Sequence, residues 1–240
     1  MRMLVLISVF LYACNTQAAE IRVATAANFY PTLKKIKNEF EKITQHKVTI
    51  IRGSTGKLFA QIVKGAPYDI FLSADSERAD KLVTLGKSFD NKSYVYAIGE
   101  LALWEKGASK SADIKNKLFK GQFKKLAIAN PKTAPYGYAA IETLKAMKIY
   151  EQVKPRLVYG ENISQALQFV ESGAADIGFV AKSYVIDDVY WDINNRLYKP
   201  IKQKMLLLKQ VKDPVSAQDF MRFMQSEKMR ALIIADGYLL

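Results

Sequence analysis

The chain has 240 residues, half of them apolar, with 36 basic against 23 acidic residues and a formal charge of +13. That supports one large domain or two small lobes, and the charge alone admits nucleic acid, an anionic membrane or a small anion as partner. The basic residues form no tail but lie along helix faces, as in Lys34-Lys35-Lys37 and Lys199/Lys202/Lys204, so they read as solvated surface.

The first stretch reads as an export signal. Arg2 supplies a positive charge, Leu4 to Ala13 a short apolar core, and Thr16-Gln17-Ala18 small residues at a cleavage site. The signal peptide is assigned to residues 1–19, with cleavage near Ala18/Ala19. An alternative is a lipoprotein box at Leu11-Tyr12-Ala13-Cys14, for which Tyr12 is bulky. Cys14 is the single cysteine, so the exported protein has no disulfide, zinc–thiolate site or thiol nucleophile. Later segments contain no run of about 18 apolar residues that would span a bilayer. The expectation is a soluble periplasmic protein, and export argues against nucleic acid.

Ile21 to Thr25 reads as a strand and Ala26-Ala27-Asn28 as a turn. Pro31 then sits in a first helical turn, where its missing N–H costs nothing. Leu33, Ile36, Phe40 and Ile43 have the 3-4-3 spacing of an amphipathic helix. Lys47 to Ile51 is β-branched and apolar, a second strand. Gly53-Ser54-Thr55-Gly56 turns it into a helix carrying Leu58, Phe59, Ile62 and Val63. Tyr68 to Leu72 is a third strand, and Ser73-Ala74-Asp75 opens a third helix, with Asp75 its cap. Three β-α units in a row imply a parallel sheet with right-handed crossovers.

Tyr94 to Ile98 and Leu101 to Trp104 are strand-like and nearly continuous. The β-α pattern then restarts: strands at 125–129, 156–159 and 176–180, with helices over 138–147 and 163–172. Ile201 to Val211 reads as a long returning strand and Ser216 to about Ala235 as one helix. Two sets of three β-α units suggest an α/β protein of two lobes, with the 94–104 and 201–211 segments crossing between them. Lobe one is assigned residues 20–98 and 205–240, and lobe two 99–204.

Ligands of open parallel sheets bind beyond the carboxyl ends of the strands. Four turns then face one cleft, carrying Ala27-Asn28, Ser54-Thr55, Pro135-Tyr136 and Asn162-Ile163. They offer an amide, hydroxyls, a phenol and backbone N–H groups at helix starts, and no carboxylate, histidine or cysteine. Such a set suits a fully ionised oxyanion. It lacks the titrating group of acid–base catalysis and the ligands of a transition-metal cation. About five to seven charge-assisted bonds in a dry cleft would supply roughly 8–12 kcal/mol net. Asn28 and Ser54 also have a simpler reading as helix caps, and Tyr136 as packing between lobes. Gly56-Lys57 lacks the remaining residues of a P-loop, so Lys57 reads as a peripheral charge and His46 as a solvated loop residue.

Several segments in this order carry a family resemblance: Val23-Ala-Thr-Ala-Ala-Asn-Phe29, Gly53-Ser-Thr-Gly56, Gln61 to Asp69, Phe71-Leu-Ser-Ala-Asp75 and Tyr96-Ala-Ile-Gly99. Asn130-Pro131, Ala134-Pro-Tyr-Gly137, Ser172 to Val180 and Gly237-Tyr238 continue it. The chain from Glu20 to Leu240 resembles the periplasmic molybdate-binding proteins of molybdate ABC transporters. The resemblance implies a two-lobed type II periplasmic-binding-protein fold, with two parallel-rich sheets joined by two crossing strands. It also implies binding of molybdate or tungstate without covalent chemistry or a cofactor, delivery to a membrane permease, and a monomer. Its oxyanion contacts fall on Asn28, Ser54, Tyr136 and the N–H of Ile163, with Ala27 and Thr55 adjacent. They would meet the metal only through the oxygens of molybdate. Many members have serine where this chain has Asn28, a small residue at Tyr136, and a tyrosine hydroxyl from the place of Ala181, which Tyr136 would replace here. Sulfate, thiosulfate or phosphate is the competing ligand class.

Overall fold

The computed structural model describes residues 18–240; the apolar core of the leader and Cys14 lie outside them. The first lobe begins with β1 (Glu20–Ala26), a single 3-10 turn (Ala27–Phe29), α1 (Tyr30–Ile43), β2 (Lys47–Gly53), α2 (Thr55–Val63), β3 (Ile70–Ser73), α3 (Ser76–Thr84) and β4 (Tyr94–Gly99). After Glu100 follow β5 (Leu101–Trp104), α4 (Ser111–Phe119), β6 (Leu126–Ala129), α5 (Pro135–Ala146), α6 (Tyr150–Val153), β7 (Leu157–Gly160), α7 (Ile163–Glu171), β8 (Ile177–Ala181) and β9 (Tyr190–Asp192). The chain closes with β10 (Ile201–Leu207), α8 (Pro214–Met224) and α9 (Glu227–Ala235).

Two mixed five-stranded sheets result, ordered β2-β1-β3-β10-β4 and β7-β6-β8-β5-β9. In the first, β1 runs parallel to β2 and β3, and β10 antiparallel to β3 and β4. The second repeats the scheme, with β6 parallel to β7 and β8, and β5 antiparallel to β8 and β9. This is the two-lobed α/β architecture expected from the repeated β-α pattern.

Alternation along the strands builds the layers. Ile21 and Val23 of β1, and Ile70 and Leu72 of β3, pack with Leu33, Ile36 and Phe40 of α1. Ala24 and Phe71 point the other way, to Leu58 and Ile62 of α2 and Leu82 of α3. Truncating one of these fully buried side chains, as in Leu33→Ala, would cost about 2–5 kcal/mol.

Three features differ from the sequence reading. First, the final helix is two. Phe220 and Met224 are buried on α8, Met229 and Ile233 on α9. Their spacings of 4, 5 and 4 put the second pair out of phase with the first. The break at Gln225-Ser226 restores both faces to one core. Second, β10 stops at Leu207 and lies wholly in the first sheet, between β3 and β4. The second passage between sheets therefore lies in residues 193–200, whereas the reading expected it within 201–211. Third, β9 carries no alternation in the sequence strong enough to mark it; Tyr190-Trp191-Asp192 is a strand because β5 offers it an edge.

Candidate functional site

In each lobe two parallel strands end side by side. Ala26 at the end of β1 lies opposite Gly53 at the end of β2, and Ala129 of β6 opposite Gly160 of β7. The four turns leaving these strands face one another across the interlobe cleft. They enclose a small pocket lined by Ala26, Ala27, Asn28, Gly53, Ser54 and Thr55 from one side. Ala74 belongs to the same side, and Ala134, Pro135, Tyr136, Asn162 and Ile163 close the other. The six residues singled out in the sequence, Ala27, Asn28, Ser54, Thr55, Tyr136 and Ile163, are thus brought to one small space, and all are buried.

The polar atoms of this cavity are under-used. Ser54 is 2% exposed, yet its Oγ has no hydrogen-bond partner, and neither does Oδ1 of Asn28, which is 0% exposed. Ser54 occupies the N-cap position of α2 without capping it. An orphaned buried hydroxyl costs about 1–3 kcal/mol, a cost that a ligand accepting from it would remove. The N–H groups of Thr55, Tyr136 and Ile163 lie in the first turns of α2, α5 and α7, where the helix has no acceptor for them. Among the described residues no other acceptor takes them. Three positive helix ends thus converge on the space.

No lining side chain carries a charge or titrates near neutrality. The nearby phenols stay protonated, because burial pushes Tyr96 and Tyr136 well above the ordinary 10.0 and raises Tyr184 and Tyr238 as well. Among the described residues no cluster of His, Cys, Asp or Glu could hold a metal ion. The cavity can offer hydrogen-bond donors and positive dipoles, and nothing that accepts or releases a proton.

The lobes are joined across the cleft. Gly56 N–H of α2 donates to Thr133 O (2.9 Å), Tyr184 Oη to Ala27 O (2.5 Å) and Ser183 Oγ to Tyr238 Oη (3.0 Å). Arg78 Nη2 donates to Lys132 O (3.2 Å), and an exposed ion pair links Lys57 to Glu161 (2.8 Å). A Cβ at Gly56 would lie 3.1 Å from Thr133 backbone atoms, so glycine lets the two lobes approach closely here.

Beneath the cavity runs a buried polar network. Asn28 Nδ2 donates to Gln203 Oε1 (2.9 Å) and Tyr238 Oη (3.3 Å). Tyr96 Oη also donates to Gln203 Oε1 (2.9 Å), and Gln203 Nε2 to Tyr136 Oη (3.4 Å). The Tyr136 phenol therefore reaches out of the cavity into lobe one, over Gly99, where a Cβ would sit 2.1 Å from its oxygen. What Tyr136 turns toward the cavity is its backbone N–H. The hydroxyl that crosses the cleft from the β8 end is that of Tyr184, three residues beyond Ala181.

Gln203, Tyr184 and Gly99 escaped the sequence reading. Gln203 had a signal: it is the one polar residue in the inward phase Ile201, Gln203, Met205 of an amphipathic strand. Tyr184 had none, and Gly99 entered only within the resembling segment Tyr96-Ala-Ile-Gly99, because their partners are distant in sequence. Of the peripheral residues, Asp75 caps α3 through Arg78 N–H (2.8 Å). His46 is half-buried, accepting from Ala19 N–H (3.2 Å) and stacked on Phe40.

Residues 21–239 match the family described as bacterial extracellular solute-binding protein. The chain is 41% identical over 243 residues to the molybdate-binding protein ModA of Azotobacter vinelandii, across 99% of this chain and 96% of that one. It is 39% identical over 230 residues to ModA of Rhodobacter capsulatus, across 95% and 91%. The solved periplasmic molybdate-binding protein of Azotobacter vinelandii superposes with a TM-score of 0.87 at 36% identity, over 92% of this chain and 99% of that one. These relatives are named for binding molybdate, and this chain is a solute-binding protein rather than an enzyme. Its repeated β-α lobes, its uncharged cleft of unused donors and its near full-length likeness lead to one assignment: the chain belongs to the bacterial extracellular solute-binding proteins, within the group of molybdate-binding proteins.

Proposed function

We propose that the cleft binds molybdate, and tungstate as well, and that the loaded protein delivers it to the permease of an ABC transporter for import. The observation that carries this reading is the buried, unpartnered Ser54 Oγ set among three helix starts in a cavity without an ionisable side chain. A fully deprotonated tetrahedral dianion only accepts hydrogen bonds. Ser54 Oγ, the Asn28 amide and the N–H groups of Thr55, Tyr136 and Ile163 donate to it, with Ala27 packed beside it. Tyr136 acts here through its backbone, its phenol being engaged by Gln203.

Ligand and closure are coupled in this reading. The anion bridges Asn28 and Ser54 of lobe one to Tyr136 and Ile163 of lobe two and so favours the closed arrangement. The lobes move about the Glu100 link and the 193–200 segment, with lobe one comprising essentially 20–98 and the C-terminal part, and lobe two the remainder. The protein acts as a periplasmic monomer, released from its leader near Ala18/Ala19. The likeness of residues 21–239 to extracellular binding proteins supports export.

Isothermal titration of residues 20–240 with molybdate, tungstate, sulfate and phosphate tests the ligand. One-to-one binding of the first two, with sulfate and phosphate far weaker, is expected. Binding of sulfate alone, or of none, refutes the reading.

A further inference from the structure

The Asn28 side chain stands the wrong way round for an anion. Its Nδ2 is spent on Gln203 and Tyr238, and the branch left without a partner is the acceptor Oδ1. An acceptor oxygen repels a ligand that has only acceptor oxygens. Turning the Asn28 amide over would cure this but would set its Oδ1 against Gln203 Oε1, now 2.9 Å from Nδ2. Gln203 must therefore turn with it.

We propose that Gln203 is a positioning residue that sets the selectivity of the site. Asn28 and Gln203 turn end for end as a pair, so that Asn28 Nδ2 donates to a fully ionised oxyanion. The proposal rests on the oxyanion reading above. The turned state gives up the Asn28 Nδ2 bond to Tyr238 Oη, a loss offset by the bonds from Nδ2 to the anion and by the exchanges around Gln203. Gln203 Nε2 has two hydrogens, and in that state two acceptors meet it, Asn28 Oδ1 and Tyr96 Oη. Tyr96 then donates to Ser73 O (3.4 Å), an acceptor already beside it. Gln203 Oε1 takes the Tyr136 hydroxyl hydrogen, which has no acceptor in the present arrangement. Asn28 Nδ2 then takes the place of the unpartnered Oδ1 and is free to donate to the anion.

The backbone aims the glutamine at this task. Gln203 lies opposite Ala97 and Lys204 opposite Val95, so a β-bulge falls at Tyr96 and turns its phenol onto Gln203. Gly99 clears the room for Tyr136, since a Cβ there would also lie 2.8 Å from Gln203 Nε2. Gln203 thereby holds groups from both lobes. In the untilted arrangement Oδ1 would instead accept a hydrogen bond from an anion that keeps a proton, such as hydrogen arsenate or hydrogen phosphate. The pair thus discriminates by protonation as well as by size.

The experiment is titration of wild type and Gln203→Leu with molybdate and with arsenate at pH 7.5, alongside side-chain amide NMR of the wild type. The expected result for the variant is about a ten- to hundredfold loss for molybdate with little change for arsenate, so that the ratio between them falls. In wild type the side-chain amide resonances of both Asn28 and Gln203 move when molybdate is added. A variant with the wild-type ratio overturns the role of Gln203 while leaving the oxyanion reading intact. Wild type that binds no molybdate overturns the oxyanion reading itself. Should the variant not fold, the NMR decides: a Gln203 amide that stays in place when the Asn28 amide moves overturns the coupled turn.

Discussion

Ser54→Ala separates a ligand contact from a structural cap, because the two roles predict opposite effects on stability. A serine that caps a helix loses about 0.5–2 kcal/mol of stability on truncation to alanine. Ser54 caps nothing, and its buried Oγ has no partner to lose. Removing an unsatisfied hydroxyl gives back part of its desolvation cost, on the order of 1 kcal/mol. At about 2–4 °C per kcal/mol for a chain of this size, the ligand-free variant should melt at or slightly above the wild-type temperature. In the loaded state the variant lacks one charge-assisted hydrogen bond worth about 1.5–3 kcal/mol, so molybdate should bind roughly ten- to a hundredfold more weakly. Titration calorimetry and thermal unfolding without ligand measure both quantities on the same sample. Unchanged affinity would remove Ser54 from the site. A clear fall in the ligand-free melting temperature would show that Oγ serves the fold.

Gly99→Ala places a methyl 2.1 Å from Tyr136 Oη and 2.8 Å from Gln203 Nε2; each lobe should still fold but close incompletely, read as a larger radius of gyration with molybdate and at least a tenfold weaker affinity, on the order of 1.4 kcal/mol. Tyr184→Phe deletes the hydroxyl that spans the cleft to Ala27 O and should weaken binding by about 1 kcal/mol, seen as a faster ligand off-rate in stopped flow. Stability should fall in alkali. Burial raises the folded-state pKa of Tyr96, Tyr136, Tyr184 and Tyr238 above 10.0. Their contribution is complete below the unfolded value and is lost as pH rises from there toward the folded one. Each phenol contributes a slope of up to about 1.4 kcal/mol per pH unit. Denaturant titrations at pH 8 and pH 10.5 check the sign, and equal stability at both would contradict it.

The local sequence carried the elements and the chemistry of the turns. Apolar spacing marked α1 and α2, β-branched runs marked β2, and the repeat of three β-α units marked two lobes. The strand-end rule then singled out four turns whose residues lack any ionisable group. These are short-range signals, because a helix or strand must show one apolar face wherever it packs.

What the sequence left open depends on contacts between distant residues. Asn28 meets Gln203 across 175 positions and Tyr238 across 210, and no periodicity within either segment encodes the meeting. The placement of β10 between β3 and β4 decides it, by carrying Gln203 under the cleft. The same folding sends the Tyr136 phenol over Gly99 and away from the cavity, leaving its N–H to face inward. Composition told that this cleft would hold only neutral donors. Which atom of each residue points into it was settled by packing, since a buried amide or phenol turns toward whichever partner the rest of the fold provides.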